Sequence, residues 1–246
     1  MDDMLQLPDI RVLCETKVSL KCTQEDICLI RHDYPDAFFL YDFTKKTISR
    51  HDMLRMPLKY DGTSRYCQTP SGKIFIIGGF KGLGRVLNQI IKNGFNEYYY
   101  VQMASLKYRR EEHAVCCLDK YLIVSGSFSV ELEQAYKRVE RYDMQRKKWE
   151  DLPKLNQGRA LHSTCAFKDR YALVFCGEQM PNGGLTNSIE RLDMNNLVAG
   201  WRTITIASAK NHLTRPRQVP AVVQLNTTDI LIMGGFAISS ALKGLF

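Results

Sequence analysis

The chain has 246 residues, 45% of them hydrophobic and 24% charged, with a formal net charge of +8. This is ordinary globular composition, which argues against disorder and leaves room for a sizeable core in one or two domains. No apolar run reaches the roughly 18 residues of a membrane-spanning helix, and the basic residues are scattered, with no recognition helix or aromatic platform beside them, which argues against a nucleic-acid partner.

Residues 1–13, MDDMLQLPDIRVL, start acidic and lack a basic region followed by a long apolar stretch. The sequence therefore predicts no secretory signal, and with it a reduced, cytoplasmic setting. Next, DICLIRH, ending at His32, forms a short apolar strand, LYDF (Leu40 to Phe43) another, and Ile48 falls in the strand after it. KIFIIGGF ends in the pair Gly78-Gly79, VLNQII leads into the hairpin turn Lys92-Asn93-Gly94, and NEYYYVQMASLKYRREEH places Tyr100 in an aromatic slot.

The clearest unit begins at His113. HAVCCLD and YLIVSGS predict antiparallel strands A and B joined at Asp119-Lys120. The loop SFSVELEQAY follows, then strand C in KRVERYDM around Tyr142, the turn QRKK, and strand D from Trp149 in WEDLPKL. HSTCAFKD, YALVFCGE, QMPNGGLT, SIERLDM, NNLVAG and WRTITIA repeat that order, with Leu192 on Tyr142 and Trp201 on Trp149. DILIMGGF then brings the pair Gly234-Gly235, followed by FAISSALKGLF.

Taking Gly79, Gly126, Gly177 and Gly235 as one repeat position gives spacings of 47, 51 and 58 residues, and His32 stands 47 residues before Gly79. Such a repeat is one supersecondary unit that buries its faces only by stacking on its neighbours. Four antiparallel strands at this period predict an all-β propeller built of blades.

The strand ending in Gly-Gly, the tyrosine that follows it and a tryptophan seven residues later, Tyr142 and Trp149 in the clearest copy, resemble the kelch-repeat family over nearly all of residues 12–240. The diglycine is complete at Gly78-Gly79 and Gly234-Gly235; Ser125-Gly126 and Cys176-Gly177 keep one glycine, and Arg31-His32 keeps neither. The resemblance implies one kelch-type β-propeller domain over residues 1–246, with about five four-stranded antiparallel blades near 12–58, 59–107, 108–156, 157–206 and 207–246. MLQLPDI at 4–10 matches WEDLPKL, either as a strand closing the last blade or as the end of a preceding blade in an incomplete ring. On this reading Gly78, Gly79, Gly126, Gly177, Gly234 and Gly235 serve the fold by allowing positive φ and close approach. Tyr100, Tyr142, Trp149 and Trp201 serve it by packing between blades, burying roughly 150–250 Å² each.

Motifs that could carry chemistry are few. GGFKGLGR at 78–85 follows a strand as a phosphate loop would, but it lacks the G-x-G-x-x-G spacing, a following helix and an acidic ribose ligand. His113 and His162 share one repeat position, which indicates a structural role, while His32, His51 and His212 share no spacing. The eight cysteines form no C-x-x-C pair, and most lie in apolar runs where a free thiol acts as a small hydrophobe. There is no G-x-S-x-G elbow. The sequence thus predicts no metal, no cofactor and no catalytic residue. The densest basic group, Lys137, Arg138, Arg141 and Arg146 to Lys148, is expected to surround a solvated hairpin turn, and Asn226-Thr227-Thr228 to form a turn between strands.

The B–C loops, near 81–85, 128–136 and 179–186, vary while the strands repeat, and variable loops on a rigid scaffold are where repeat proteins place specificity. The expected contact residues for a protein partner are Lys81, Arg85, Phe128, Glu131, Glu133, Met180 and Asn182. The family resemblance implies a non-catalytic interaction scaffold, in the manner of substrate-recognition parts of ubiquitin-ligase adaptors or of cytoskeletal scaffolds. The alternative, a propeller enzyme such as a kelch-type oxidase or a sugar-acid epimerase, needs polar or metal-binding side chains converging on the central shaft, whereas the strand-B runs here are aliphatic.

Overall fold

The computed structural model describes residues 11–13, 26–30, 37–42, 45–54, 63–80, 84–92, 97–129, 134–179, 184–204 and 216–237. Apart from a 3-10 turn at Leu197–Ala199, the regular structure among the described residues is all β. After β1 (Arg11–Leu13), strands β2 (Asp26–Ile30), β3 (Ala37–Asp42) and β4 (Thr47–Leu54) form an antiparallel meander. A second meander comprises β5 (Arg65–Gln68), β6 (Ile74–Ile77), β7 (Leu87–Lys92) and β8 (Tyr98–Gln102). Its outer strand β8 touches β4 in parallel at Met53↔Tyr98 and Leu54↔Tyr99, so the two meanders share one continuous sheet.

The next two sheets are complete four-stranded blades. The first contains β9 (Ala114–Leu118), β10 (Tyr121–Ser125), β13 (Val139–Asp143) and β14 (Lys148–Leu152), with a two-stranded hairpin of β11 (Phe128–Ser129) and β12 (Gln134–Ala135) between its second and third strands. The second repeats the plan with β15 (Ser163–Phe167), β16 (Tyr171–Phe175), β19 (Ile189–Asp193) and β20 (Trp201–Ile204), and the hairpin β17 (Glu178–Gln179) and β18 (Gly184–Leu185). Last come β21 (Ala221–Gln224) and β22 (Asp229–Met233), whose free side is taken by β1 running parallel, Arg11 opposite Asp229 and Leu13 opposite Leu231. The segment 4–10, read from the sequence as a strand closing the last blade or as the end of a preceding blade, lies outside the described residues.

The core sits between sheets. Phe38, Ile74, Ile76 and Ile90 fill the space between the first and second meanders, and Phe75, Ile77, Leu106, Leu122, Val124 and Tyr142 the next junction. Ile123, Val139, Leu155, Val174, Leu192 and Trp201 pack at the third, and Phe167, Phe175, Ile189, Ile204, Ile230 and Ile232 at the fourth. Each junction removes the apolar faces of two neighbouring repeats from water, the main favourable term for a stacked repeat.

The aromatic slot follows the sequence alignment. Tyr100, Trp149 and Trp201 face Ile90, Tyr142 and Leu192 on the neighbouring strand. Each tryptophan also latches backward: Nε1 of Trp149 donates to the Ala104 carbonyl (2.7 Å) and Nε1 of Trp201 to that of Pro153 (2.8 Å). In the first meander Ile48 takes the slot opposite Tyr41, yet it is 63% exposed, so the slot is not packed there.

The glycine register needs a correction. The residue directly after each second strand donates its N–H across the blade: Gly78 to Val86 O, Gly126 to Arg138 O and Cys176 to Ser188 O. The following residue donates to the next sheet: Gly79 to Arg110 O, Ser127 to Arg159 O and Gly177 to Arg217 O. Gly126 is therefore the first member of its pair and equivalent to Gly78, not to Gly79. Its partner is Ser127, and Cys176, with φ +61, takes the first place in the next blade.

Candidate functional site

Antiparallel order brings the B–C hairpins and the D–A connections to the same end of the blades, and the A–B and C–D turns to the other. At the first end, backbone bonds zip the two kinds of segment together. Phe128 N–H donates to Glu111 O (3.0 Å), Leu155 N–H to Lys137 O (2.8 Å), Arg159 N–H to Tyr136 O (3.2 Å), and Ala160 and Glu178 exchange a pair of bonds. Because these backbone groups are satisfied within the protein, the rim presents side chains on a fixed frame.

Beneath this rim lies a repeated ion pair. Arg110 Nε donates to Glu140 Oε1 (2.7 Å) and Arg159 Nη2 to Glu190 Oε1 (2.6 Å), and all four side chains are at most 1% exposed. Nη1 of Arg110 donates to the carbonyls of Gly126 (2.6 Å) and Arg138 (3.1 Å), and Nη1 of Arg159 to those of Cys176 (2.8 Å) and Ser188 (3.2 Å). The glutamates accept in addition from the connecting backbone, at Lys107 N and at Asn156 N and Gln157 N. Each arginine thus fixes a D–A connection to the blade it enters, and its own carbonyl takes the N–H from the preceding blade's glycine-pair position. Burial pulls both guanidinium pKa values down, and the paired glutamate opposes that shift. Arg217 continues the series by donating to Gly234 O (3.0 Å).

His113 and His162 sit directly before β9 and β15, both buried, at the structural position the sequence assigned them. Burial, then the neighbouring arginines, hold both imidazoles well below the usual histidine range, so they are neutral at physiological pH. His162 Nε2 meets Ser125 Oγ at 2.8 Å. Ile77 ends the strand in the place of Ser125, and both ring nitrogens of His113 lack a hydrogen-bond partner among the described residues. Cys67, Cys116 and Cys165 occupy one register, the third residue of β5, β9 and β15, and burial pushes all three thiols up, Cys116 to about 12. Buried protonated thiols are poor nucleophiles. Among the described residues no three His, Cys, Asp or Glu side chains are grouped to hold a metal ion.

Of the seven expected contact residues, Lys81, Glu131, Glu133, Met180 and Asn182 lie outside the described residues. Arg85 is exposed at the rim, with Nε bound to Leu106 O (2.8 Å), and Phe128 is half-buried in the β11–β12 hairpin opposite Ala135. The structure adds residues from the D–A connection that the loop reading passed over: Lys107, Tyr108 and Arg109. Arg138 joins them, its guanidinium lying 4.1 Å from the Tyr108 ring centroid. The expected single basic group is in fact divided. Lys137 and Arg138 precede β13 at this rim, while Arg146 to Lys148 follow it at the opposite end, about 17 Å away along a five-residue strand.

No family model matches the sequence. Among curated proteins, Kelch-like protein 40 of Xenopus laevis is 26% identical over 166 residues, 67% of this chain and 25% of that protein. Among solved structures, YjhT superposes with a TM-score of 0.53 at 14% identity, covering 69% of this chain and 52% of that one. The chain therefore spans a quarter of the length of the first and about half of the second, and the second likeness concerns the fold alone. Among the described residues no helix is long and apolar enough to cross a membrane. Repeat register, four-stranded blades and these two likenesses together give the chain a kelch-type β-propeller fold, with a sequence similar to that of a kelch-like protein.

Proposed function

We propose that the chain is a non-catalytic, cytoplasmic interaction scaffold that binds a protein partner at the rim carrying the B–C hairpins and D–A connections. The observation that carries this reading is the division of labour in the repeat. Buried polar residues such as Arg110, Glu140, Arg159 and Glu190 are committed to holding blades together, whereas the rim hairpins differ from blade to blade on that rigid base. The likeness to Kelch-like protein 40 supports a place among protein-binding propellers. Service as the recognition part of a ubiquitin-ligase adaptor or as a cytoskeletal scaffold is the narrower form of the proposal.

The test replaces only residues 130–133 and 180–183, which join the paired hairpin strands in sequence, with Gly-Ser, so that the bonds of Phe128, Tyr136 and Glu178 survive. Partners captured from lysate by the parent chain should be lost with this variant and kept by a variant altered at the opposite end of the blades, Arg146→Glu with Lys148→Glu. Retention of every partner by a folded variant of this kind would overturn the proposal.

A further inference from the structure

Neighbouring repeats pack through the same two halves. The forward half is the third residue of strand A with the last residue of strand B: Cys67 with Ile77, Cys116 with Ser125, and Cys165 with Phe175, each set facing the following repeat. All six are at most 9% exposed. The backward half is the aromatic slot with the residue beside it: Ile90 with Tyr100, Tyr142 with Trp149, and Leu192 with Trp201, each packed toward the preceding repeat. On both sides of the β9–β14 blade the two halves meet. Cys67 and Ile77 share a core with Tyr142 and Trp149 on one side, and Cys116 shares one with Leu192 and Trp201 on the other.

The last and first sheets each leave one of these halves open. Val223 and Met233 continue the forward row on β21 and β22, yet they are 40% and 46% exposed, while Val222, Ile230 and Ile232 on the other face of the same strands pack against the preceding blade. Tyr41 and Ile48 continue the backward row on β3 and β4. Ile48 is 63% exposed, and Tyr41 is half-buried where Tyr142 and Leu192 have no exposed surface. A single chain therefore carries an open forward face and an open backward face on different sheets and does not bring them together. Stacked repeats need a polar outer face at their ends, and Val223, Met233, Tyr41 and Ile48 do not provide one.

We propose that these two faces bind each other between copies of the chain: the β21–β22 face of one copy packs against the β3–β4 face of a second, as neighbouring repeats pack within one chain. The pairing of halves commits the occupant. A forward row of short or unbranched side chains meets an aromatic or aliphatic slot at the internal junctions, and a second copy supplies that slot as Tyr41 and Ile48. Two β21–β22 faces set together would oppose two forward rows, a pairing that no junction among the described residues uses. Because the contact is heterologous, it closes when two copies pair reciprocally and otherwise grows by adding copies. It uses sheet faces, not the rim, and is independent of the partner proposed above.

Sedimentation velocity of the full chain over a wide range of concentration is the test. The mass should rise from one chain to two or more as concentration increases, and added salt should not weaken the association, since apolar burial drives it. Met233→Asp and Ile48→Asp place a carboxylate in the contact, and each alone should weaken self-association by about tenfold or more. Both positions are exposed in the single chain, so circular dichroism and the urea midpoint should stay near those of the parent; Met233→Ser and Ile48→Ser give the same reading should an aspartate unfold the chain. Mixing the two aspartate variants leaves one unaltered pair of faces, Met233 of one copy against Ile48 of the other, and should restore a species of two chains and no larger. A mass of one chain at every concentration would overturn the proposal. So would association indifferent to Ile48→Asp, which would place the contact on the last sheet alone, or a mixture that stays as unassociated as its separate components.

Discussion

Replacing Arg159 with alanine is expected to lower the free energy of unfolding by about 3–5 kcal/mol. The guanidinium has no exposed surface and serves four acceptors at once: the Glu190 carboxylate, the Ser188 hydroxyl and the carbonyls of Cys176 and Ser188. Removing it strands a carboxylate that is 1% exposed, and an uncompensated buried charge costs far more than the net value of a pair. Arg159→Lys should lie in between, because an ammonium cannot span acceptors on two sides as a planar fork does. Arg159→Met combined with Glu190→Leu should cost less than the sum of the single changes, since the partners act as a unit. Equilibrium denaturant unfolding reads the parent, the Arg159→Ala and Arg159→Lys variants, and the double variant with its two single changes, and an Arg159→Ala variant within about 1 kcal/mol of the parent would show that the pin does not hold the blades.

Gly126→Ala is the second large effect, expected at about 3 kcal/mol from left-handed backbone together with overlap. At φ +58, a Cβ there would stand 2.2 Å from the Arg159 carbonyl oxygen and 2.6 Å from His162 Cε1, and neither the pinned backbone nor the buried ring has room to move. Gly234 has φ +63 but, among the described residues, nothing within 4 Å of its built Cβ, so Gly234→Ala should cost only about 1 kcal/mol, the backbone share alone. The contrast explains Cys176. It takes the same left-handed position, but the following sheet offers Pro220 where Gly126 meets His162, so no imidazole occupies the space. Equal losses at Gly126 and Gly234 in matched unfolding experiments would contradict this account.

The strands and the aromatic slot were legible because their signal is apolar and periodic. Ile74–Ile77, Tyr121–Ser125 and Tyr171–Phe175 are near-continuous buried runs, and alignment on the connecting residues put Tyr100, Trp149 and Trp201 in one place. The Ser-Gly-Ser stretch was misaligned by one residue because a lone glycine fits either half of a pair, and only the hydrogen bonds of Gly126 and Ser127 separate the two choices. Hairpins of two-residue strands, such as β11–β12, are too short to show alternation. The buried pins were hidden for a different reason: Glu140 and Glu190 sit in strands whose charged positions suggest a solvated face. A signal did exist, since Arg110 and Arg159 recur after 49 residues, Glu140 and Glu190 after 50, and Cys67, Cys116 and Cys165 at 49-residue steps. The basic residues of the rim stayed hidden because Arg85, Lys107, Arg109 and Arg138 come from three segments that only the blade junction brings together, and because five of the expected contact residues lie outside the described residues.

Hydrogen exchange on the chain, free and bound to a captured partner, reads out which end of the blades a partner engages. Binding at the proposed end, where hairpins and D–A connections meet, should slow exchange at 84–85, 107–112, 128–138 and 178–186 and leave the turns at 119–120, 145–147, 168–170 and 195–200 unchanged. Protection confined to those turns would place the interface on the opposite end and overturn rim binding.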